Sequence, residues 1–148
     1  MNIVLVATSA TITKNIMKGD FTKAKQITPQ TKEKVWQRQH GRSLLSNKSI
    51  TKEMCCCHVV GRGNSGVGYE WNIVGLTPDE HRELDESKPI TIDGKVRWTN
   101  EEAQTLIRNH LILNYENWSE KNCKYKKYAK EQDYGMVARR DRVTKAIR

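Results

Sequence analysis

The sequence has one phenylalanine, three prolines and no apolar run near the roughly 20 residues that a membrane-spanning helix requires. Its most apolar early stretch, NIVLVATSA at 2–10, is too short to span and lacks the cationic lead of a secretory signal. No membrane partner is expected, and the expected location is cytoplasmic. Spaced cysteine pairs are missing as well. The four cysteines are Cys55, Cys56, Cys57 and Cys123, and three in a row cannot build an ordinary disulfide framework, because neighbours along a strand point to opposite faces. A disulfide-stapled secreted scaffold is thereby excluded, and a reducing compartment is suited. The ordinary fate of such cysteines is burial as small apolar residues. Hydrophobic residues make up only 36% of the 148, and the mean hydropathy is −0.77, so part of the chain is expected to order only against a partner.

The net charge of +9 is distributed unevenly. Residues 1–53 carry +7 (ten basic, three acidic), residues 54–118 carry −4 (six against ten), and residues 119–148 carry +6 (ten against four). Two basic flanks favour a polyanion, whereas the carboxylates gathered in the centre favour a cation. Charge alone also fits a protein with solvated charged ends.

Residues 1–28 show weak patterning and read as a short strand followed by loop. TKEKVWQRQ at 31–39 predicts a helix with Val35 and Trp36 on its buried side, ended by His40-Gly41. CCCHVV at 55–60 predicts a strand. GRGNSGVG at 61–68, with four glycines in eight residues, must be a loop, and NIVGL at 72–76 predicts a second strand, most simply antiparallel to the first. Thr77 opens a helix to about Glu86, with Pro78 at its first position and a Thr-x-x-Glu box closed by Glu80. Asp79, Glu83 and Glu86 fall on its solvated side. A small hairpin follows around Asp93-Gly94. Thr99 and Glu102 cap a further helix to about Trp118, and the Lys/Tyr-rich, then Arg-rich tail from Ser119 reads as a helix that frays. The run Lys124-Tyr125-Lys126-Lys127-Tyr128 suits either phosphate contacts with base stacking or an exposed basic helix end.

The centre of the chain is therefore strand, glycine loop, strand, helix, with polar residues at defined points. His58 ends the first strand, Asn72 begins the second, and His81 lies one turn into the helix. An imidazole with a pKa near 6.5 can take a proton from water at neutral pH. A metal ion opposite it can stabilise a pentavalent phosphate and the leaving oxygen. His81 and Asp85 are four apart on one helical face and can hold one cation together, although the helix dipole at that end opposes it. His40 and His110 read as surface or core histidines. The glycine loop lacks the Gly-Lys-Ser/Thr ending of a P-loop.

These segments resemble the HNH endonucleases, whose ββα-metal core is written as His, then Asn, then His. Cys57-His58-Val59-Val60-Gly61-Arg62 is similar to the family's first segment, Trp71-Asn72-Ile73-Val74-Gly75-Leu76 to the middle one, and Thr77 to His81, continuing to Asp85, to the last. Val35 to Arg42 is similar to the helix that precedes the core, so the resemblance covers about residues 29–86. It implies His58 as the general base, Cys57 and His81 as metal ligands with Asp85 beside them, Asn72 as a brace for the loop, and Arg62 as a phosphate contact. Many family members carry a structural zinc on two Cys-x-x-Cys pairs. Those positions are Ser43, Ser46, Thr77 and Glu80 here, so no structural zinc is expected, and the Thr77–Glu80 cap replaces the order it would give. Cys57 stands where a hard ligand is usual, and a thiolate favours softer ions; Asp85 is compatible with Mg²⁺ or Mn²⁺.

The resulting expectation is an α+β protein with a ββα-metal (HNH) core and flanking helices: an extension at 1–28, the core at 29–98, and a helical basic extension at 99–148. The expected reaction is metal-dependent hydrolysis of DNA phosphodiesters. The cation is expected to be Mg²⁺ or Mn²⁺, with Zn²⁺ or Ni²⁺ as alternatives. The chain would nick as a monomer, and cut both strands only as a homodimer. The resemblance points to a phage or mobile element, hence to host cytoplasm. Two rivals are a DNA-binding module of HNH descent that no longer cleaves, and a phage inhibitor that docks its C-terminal third on a host protein.

Overall fold

A computed structural model describes residues 22–141. The part of the expected strand and loop at 1–21 lies outside the described residues, and 22–25 are helical rather than loop. Helix α1 spans Pro29–Arg38, two residues earlier than the sequence suggests, because Thr28 accepts from the Thr31 N–H at 3.1 Å and Pro29 fits the first turn. Val35 is fully buried, and the half-buried Trp36 donates its Nε1–H to the Ile50 carbonyl at 2.8 Å. His40 and Gly41 then reverse the chain with φ of 57° and 69°. At Gly41 a Cβ would come within 2.9 Å of the Trp36 ring, so glycine is required both for its backbone angle and for space.

Strands β1 (Cys57–His58) and β2 (Ile73–Val74) pair antiparallel, Cys57 opposite Val74 and His58 opposite Ile73. Both are shorter than the apolar runs suggest. Pairing stops at Val60, whose N–H goes to the Asn72 side chain instead of a strand backbone. Helix α2 (Pro78–Asp85) follows with Thr77 as N-cap. Glu83, expected in solvent, instead accepts from the Thr91 N–H at 2.7 Å and from the Thr91 hydroxyl, which ties α2 to the next hairpin. That hairpin, β3 (Ile90–Ile92) and β4 (Lys95–Trp98), turns at Asp93 and Gly94 with φ of 54° and 79°, the two left-handed positions of a type I′ turn.

Helix α3 (Asn100–Asn114) has both halves of its Thr99–Glu102 capping box and buries Ala103, Ile107 and Leu111 at four-residue spacing. It stops four residues before the expected Trp118. Tyr115 leaves the helix to form β5 (Tyr115–Glu116) against β6 (Val137–Ala138). From Ser119 to Ala138 the tail is not a helix but short 3₁₀ turns at Glu120–Cys123 and Glu131–Tyr134 and strand β6; helix begins only at 139–141, where the described residues end. Tertiary contacts override its helical composition. Cys123, Tyr134 and Ala138 enter the same apolar core as Cys57, Val74, Ile90 and Leu111, and Arg140 pairs with the buried Glu70 at 2.7 Å.

Arg38 joins these pieces from below the hairpin. Its guanidinium donates to the Glu70 and Ile73 carbonyls at 2.8 and 2.7 Å, to the Tyr115 hydroxyl at 2.8 Å and to His110 Nε2 at 2.9 Å. Burial, with the Arg38 charge beside it, pushes the His110 imidazole down to about 3, so it is a neutral acceptor. The architecture is α+β, built among the described residues from helices and three small antiparallel sheets. No helix among the described residues is long and apolar enough to cross a membrane.

Candidate active site

His58 and His81 face one cleft of about 630 Å³, lined also by Arg62, Asp85, Cys56 and the chain segment Lys25–Ile27. Each wall comes from a different element. β1 supplies His58 and the residue just before it supplies Cys56, the glycine loop supplies Arg62, α2 supplies His81 and Asp85, and the segment leading into α1 supplies the backbone of Lys25.

His58 Nε2 lies 3.2 Å from the Lys25 carbonyl oxygen. A carbonyl can only accept, so Nε2 carries the proton and the Nδ1 lone pair is the basic one. Burial holds the imidazole below its ordinary value, and Arg62 and His81 push the same way, against the raising influence of the Lys25 bond and Asp85. The ring is therefore neutral at pH 7, the state a general base needs.

His81 uses both ring nitrogens. Nε2 is 3.2 Å from Asp85 Oδ2, and Nδ1 is 3.9 Å from Cys56 Sγ. The Nε2–Oδ2 separation suits a direct hydrogen bond and is also about what two ligands at ~2.1 Å on one cation would show. Among the described residues no group of three or more His, Cys, Asp or Glu side chains is arranged to hold a metal ion. A closed zinc site with three or four protein ligands does not fit. Two donors facing an open cleft do fit a hard cation, which keeps waters and takes phosphate oxygens.

Cys57, expected as the first ligand, is turned away from this cleft. It is about 1% exposed and packed in the apolar core, its thiol reaching the His58 carbonyl at 4.0 Å, and burial pushes its pKa far up. The ligand assignment is corrected on that ground. The thiol that shares the cleft with His58 is Cys56, two residues away and just ahead of β1. That period-two relation was available in the sequence. Burial raises the Cys56 thiol too, so Cys56, His81 and Asp85 do not make a thiolate nucleophile.

Asn72 is fully buried and spends its whole amide on the loop. Its Oδ1 accepts from the Val60 N–H at 2.8 Å, and its Nδ2 donates to the Val60 and Val67 carbonyls at 3.0 and 2.8 Å. The loop that presents Arg62 is thus clamped at both ends by one side chain. Arg62 itself is exposed at the cleft.

Ser43, Ser46, Thr77 and Glu80 meet at one point beneath α2. The buried Glu80 carboxylate accepts from the Ser43 hydroxyl, from Ser46 Oγ at 2.7 Å and from Thr77 Oγ1 at 2.7 Å. Ser43 Oγ in turn accepts from the Leu45 and Ser46 N–H groups at 3.2 and 3.4 Å. Only half of the expected capping box forms at this helix: Thr77 receives the Glu80 N–H at 3.3 Å, but the Glu80 side chain goes to the serines. Sequence reasoning also missed the Lys25 carbonyl. Only folding brings it to His58, 33 positions along, and no side-chain signal marks it.

No protein-family model matches this chain, and neither a curated protein nor a solved structure matches it.

Proposed function

We propose that the protein is a metal-dependent endonuclease of the HNH type that nicks DNA. The observation that carries this reading is the single cleft in which a neutral, carbonyl-oriented His58 faces Arg62, His81 and Asp85. Supporting it, the four positions that the resemblance assigns to a structural zinc meet around one carboxylate.

In this mechanism His58 Nδ1 accepts a proton from the attacking water, while the Nε2–H bond to Lys25 fixes the ring and its tautomer. Arg62 holds a non-bridging phosphate oxygen and offsets the charge that builds on it. His81 and Asp85 would hold the cation, Mg²⁺ or Mn²⁺ by the hardness of the site, and Cys56 would orient the His81 ring through Nδ1. Bound there, the cation would supply charge neutralisation for the phosphate and the departing oxygen. Asn72 keeps the Arg62 loop at its distance from β1. One such site makes one cut per binding event; a double-strand break needs two copies.

Supercoiled-plasmid nicking with Mg²⁺, Mn²⁺, Ni²⁺, Zn²⁺ or EDTA tests the reading, with His58→Ala in parallel. Nicking in Mg²⁺ or Mn²⁺ that disappears in EDTA and in His58→Ala is the expected result, and cleavage retained by that variant refutes His58 as base. A second reading, a DNA-binding module without cleavage, is favoured by the burial of Cys57 where a ligand is usual. It predicts DNA binding that persists in EDTA with no nicking under any ion.

A further inference from the structure

Beside the cleft, and sharing Gln26 with it, runs a second groove of about 560 Å³ lined by Tyr69, Tyr125, Tyr128, Lys23 and Lys130. Two chain segments are seated on the far half of the glycine loop to make it. On one side Gly68 donates to the Ala24 carbonyl at 2.7 Å, and a Cβ at Gly68 would lie 2.3 Å from the Gln26 carbonyl, so glycine is what lets that segment lie down. On the other side Val67 donates to the Cys123 carbonyl at 2.9 Å, Tyr125 donates to the Ser65 carbonyl at 2.7 Å, and Lys124 bridges Gly66. The Lys/Tyr run thus leaves directly from the loop that carries Arg62.

Two features of this groove call for a polymer with both phosphates and exposed rings. The groove's two lining lysines, Lys23 and Lys130, outnumber its one lining carboxylate, Glu131. Neither they nor the neighbouring Lys124 and Lys127 are in an ion pair among the described residues. Tyr128 is 72% exposed yet sits at φ +64°, the third position of a turn closed by the Ala129 N–H on the Lys126 carbonyl at 3.0 Å. Glycine or asparagine is the residue for that angle, and a bulky side chain there is strained. Burial gives little back, since the ring stands mostly in solvent; the Lys127 ammonium 5.2 Å from its centroid is a weak contact at such an exposed site. Tyr69, by contrast, is fixed against Trp71 and Tyr134 at ring distances of 5.1 and 5.4 Å.

We propose that this groove takes an unpaired strand of nucleic acid, one base stacking on Tyr128 and the lysines holding the backbone. The strand then passes toward the cleft that contains His58. Duplex DNA also presents phosphates but hides its base faces, so aromatic rings among lysines favour the unpaired form. The proposal rests on the nuclease reading and narrows its substrate to junctions with a single-stranded arm.

The test is fluorescence anisotropy with the full chain in EDTA, using a labelled dT oligonucleotide of about 12 residues, its rU counterpart and a duplex of equal length. Tyr128→Asn suits the left-handed angle, so its melting temperature is expected to hold or rise, while affinity for the unpaired strand falls roughly ten-fold and duplex affinity stays unchanged. Tyr128→Phe should bind like the parent. The tighter of dT and rU assigns the polymer, and either supports the groove. Equal affinity for single strand and duplex, or a Tyr128→Asn loss that is the same on both or absent, overturns the proposal. Absence of nicking with single-strand binding intact would count against the cleavage reading alone.

Discussion

Replacing Asn72 by aspartate changes one nitrogen to oxygen, and the structure makes that a severe and pH-dependent change. The Oδ1 contact with the Val60 N–H survives, but the two Nδ2–H bonds to the Val60 and Val67 carbonyls become oxygen-against-oxygen contacts at 3.0 and 2.8 Å. Ionised, the group leaves both buried carbonyls without a donor, at about 1–3 kcal/mol each; protonated, its O–H can serve one of them, so the neutral form costs about 1–3 kcal/mol before any charge is counted. An ionised carboxylate at a fully buried position costs more again, so the folded protein would keep the group protonated, with its pKa above the unfolded value near 3.9. The folded state then binds more protons than the unfolded one. Stability is greatest below pH ~4 and is lost by about 1.4 kcal/mol per unit as pH rises toward the folded pKa. Urea unfolding of Asn72→Asp and Asn72→Ala at pH 5 and pH 8 measures this. The aspartate variant should weaken between the two pH values, with no such added slope in the alanine variant or the parent. An aspartate variant within about 1 kcal/mol of the parent and flat in pH would refute the clamp.

Because burial lowers the His58 pKa, the acid limb of the nicking rate should lie below the ordinary imidazole value of ~6.5, as a pH–rate profile at saturating metal would report. The same depressed pKa contributes stability that is present above ~6.5 and lost as pH falls through the folded value. Cys57→Ser puts a hydroxyl into the apolar core and should cost about 1–3 kcal/mol in urea unfolding. Cys56→Val should leave stability nearly unchanged while raising the metal concentration needed for half-maximal nicking roughly ten-fold; the reverse pattern would restore Cys57 as the ligand. Combined Ser43→Cys, Ser46→Cys, Thr77→Cys and Glu80→Cys replacement should create a tetrahedral thiolate site that binds one Co²⁺ or Zn²⁺ per chain. Metal-dependent stabilisation and Co²⁺ absorption would report it, and no uptake would refute the correspondence of these positions.

Several elements were legible because their causes are local. The Asp93-Gly94 turn, the Thr99–Glu102 cap and the His40-Gly41 helix stop each depend on backbone angles or side-chain bonds within a few residues. The order strand, glycine loop, strand, helix was legible for the same reason. The tail was misread because its lysines and tyrosines suit a helix in isolation, whereas Cys123, Tyr134 and Ala138 gain more by entering the core. The end of α3 was misplaced because Tyr115 is drawn out of the helix by Glu70 and Arg38, 45 and 77 positions away.

The candidate site divides along the same line. Sequence alone determined which residue types stand at His58, Arg62, Asn72, His81 and Asp85, and that His81 and Asp85 share a helical face, since a four-residue step fixes that. It also held the period-two alternation that separates Cys56 from Cys57, although not which of the two faces the core. Only the tertiary structure decided that, because the core face is chosen by what packs against the hairpin from distant elements. It also decided the His58 tautomer, which depends on a carbonyl from another segment, and the meeting of Ser43, Ser46, Thr77 and Glu80, which no local rule brings together.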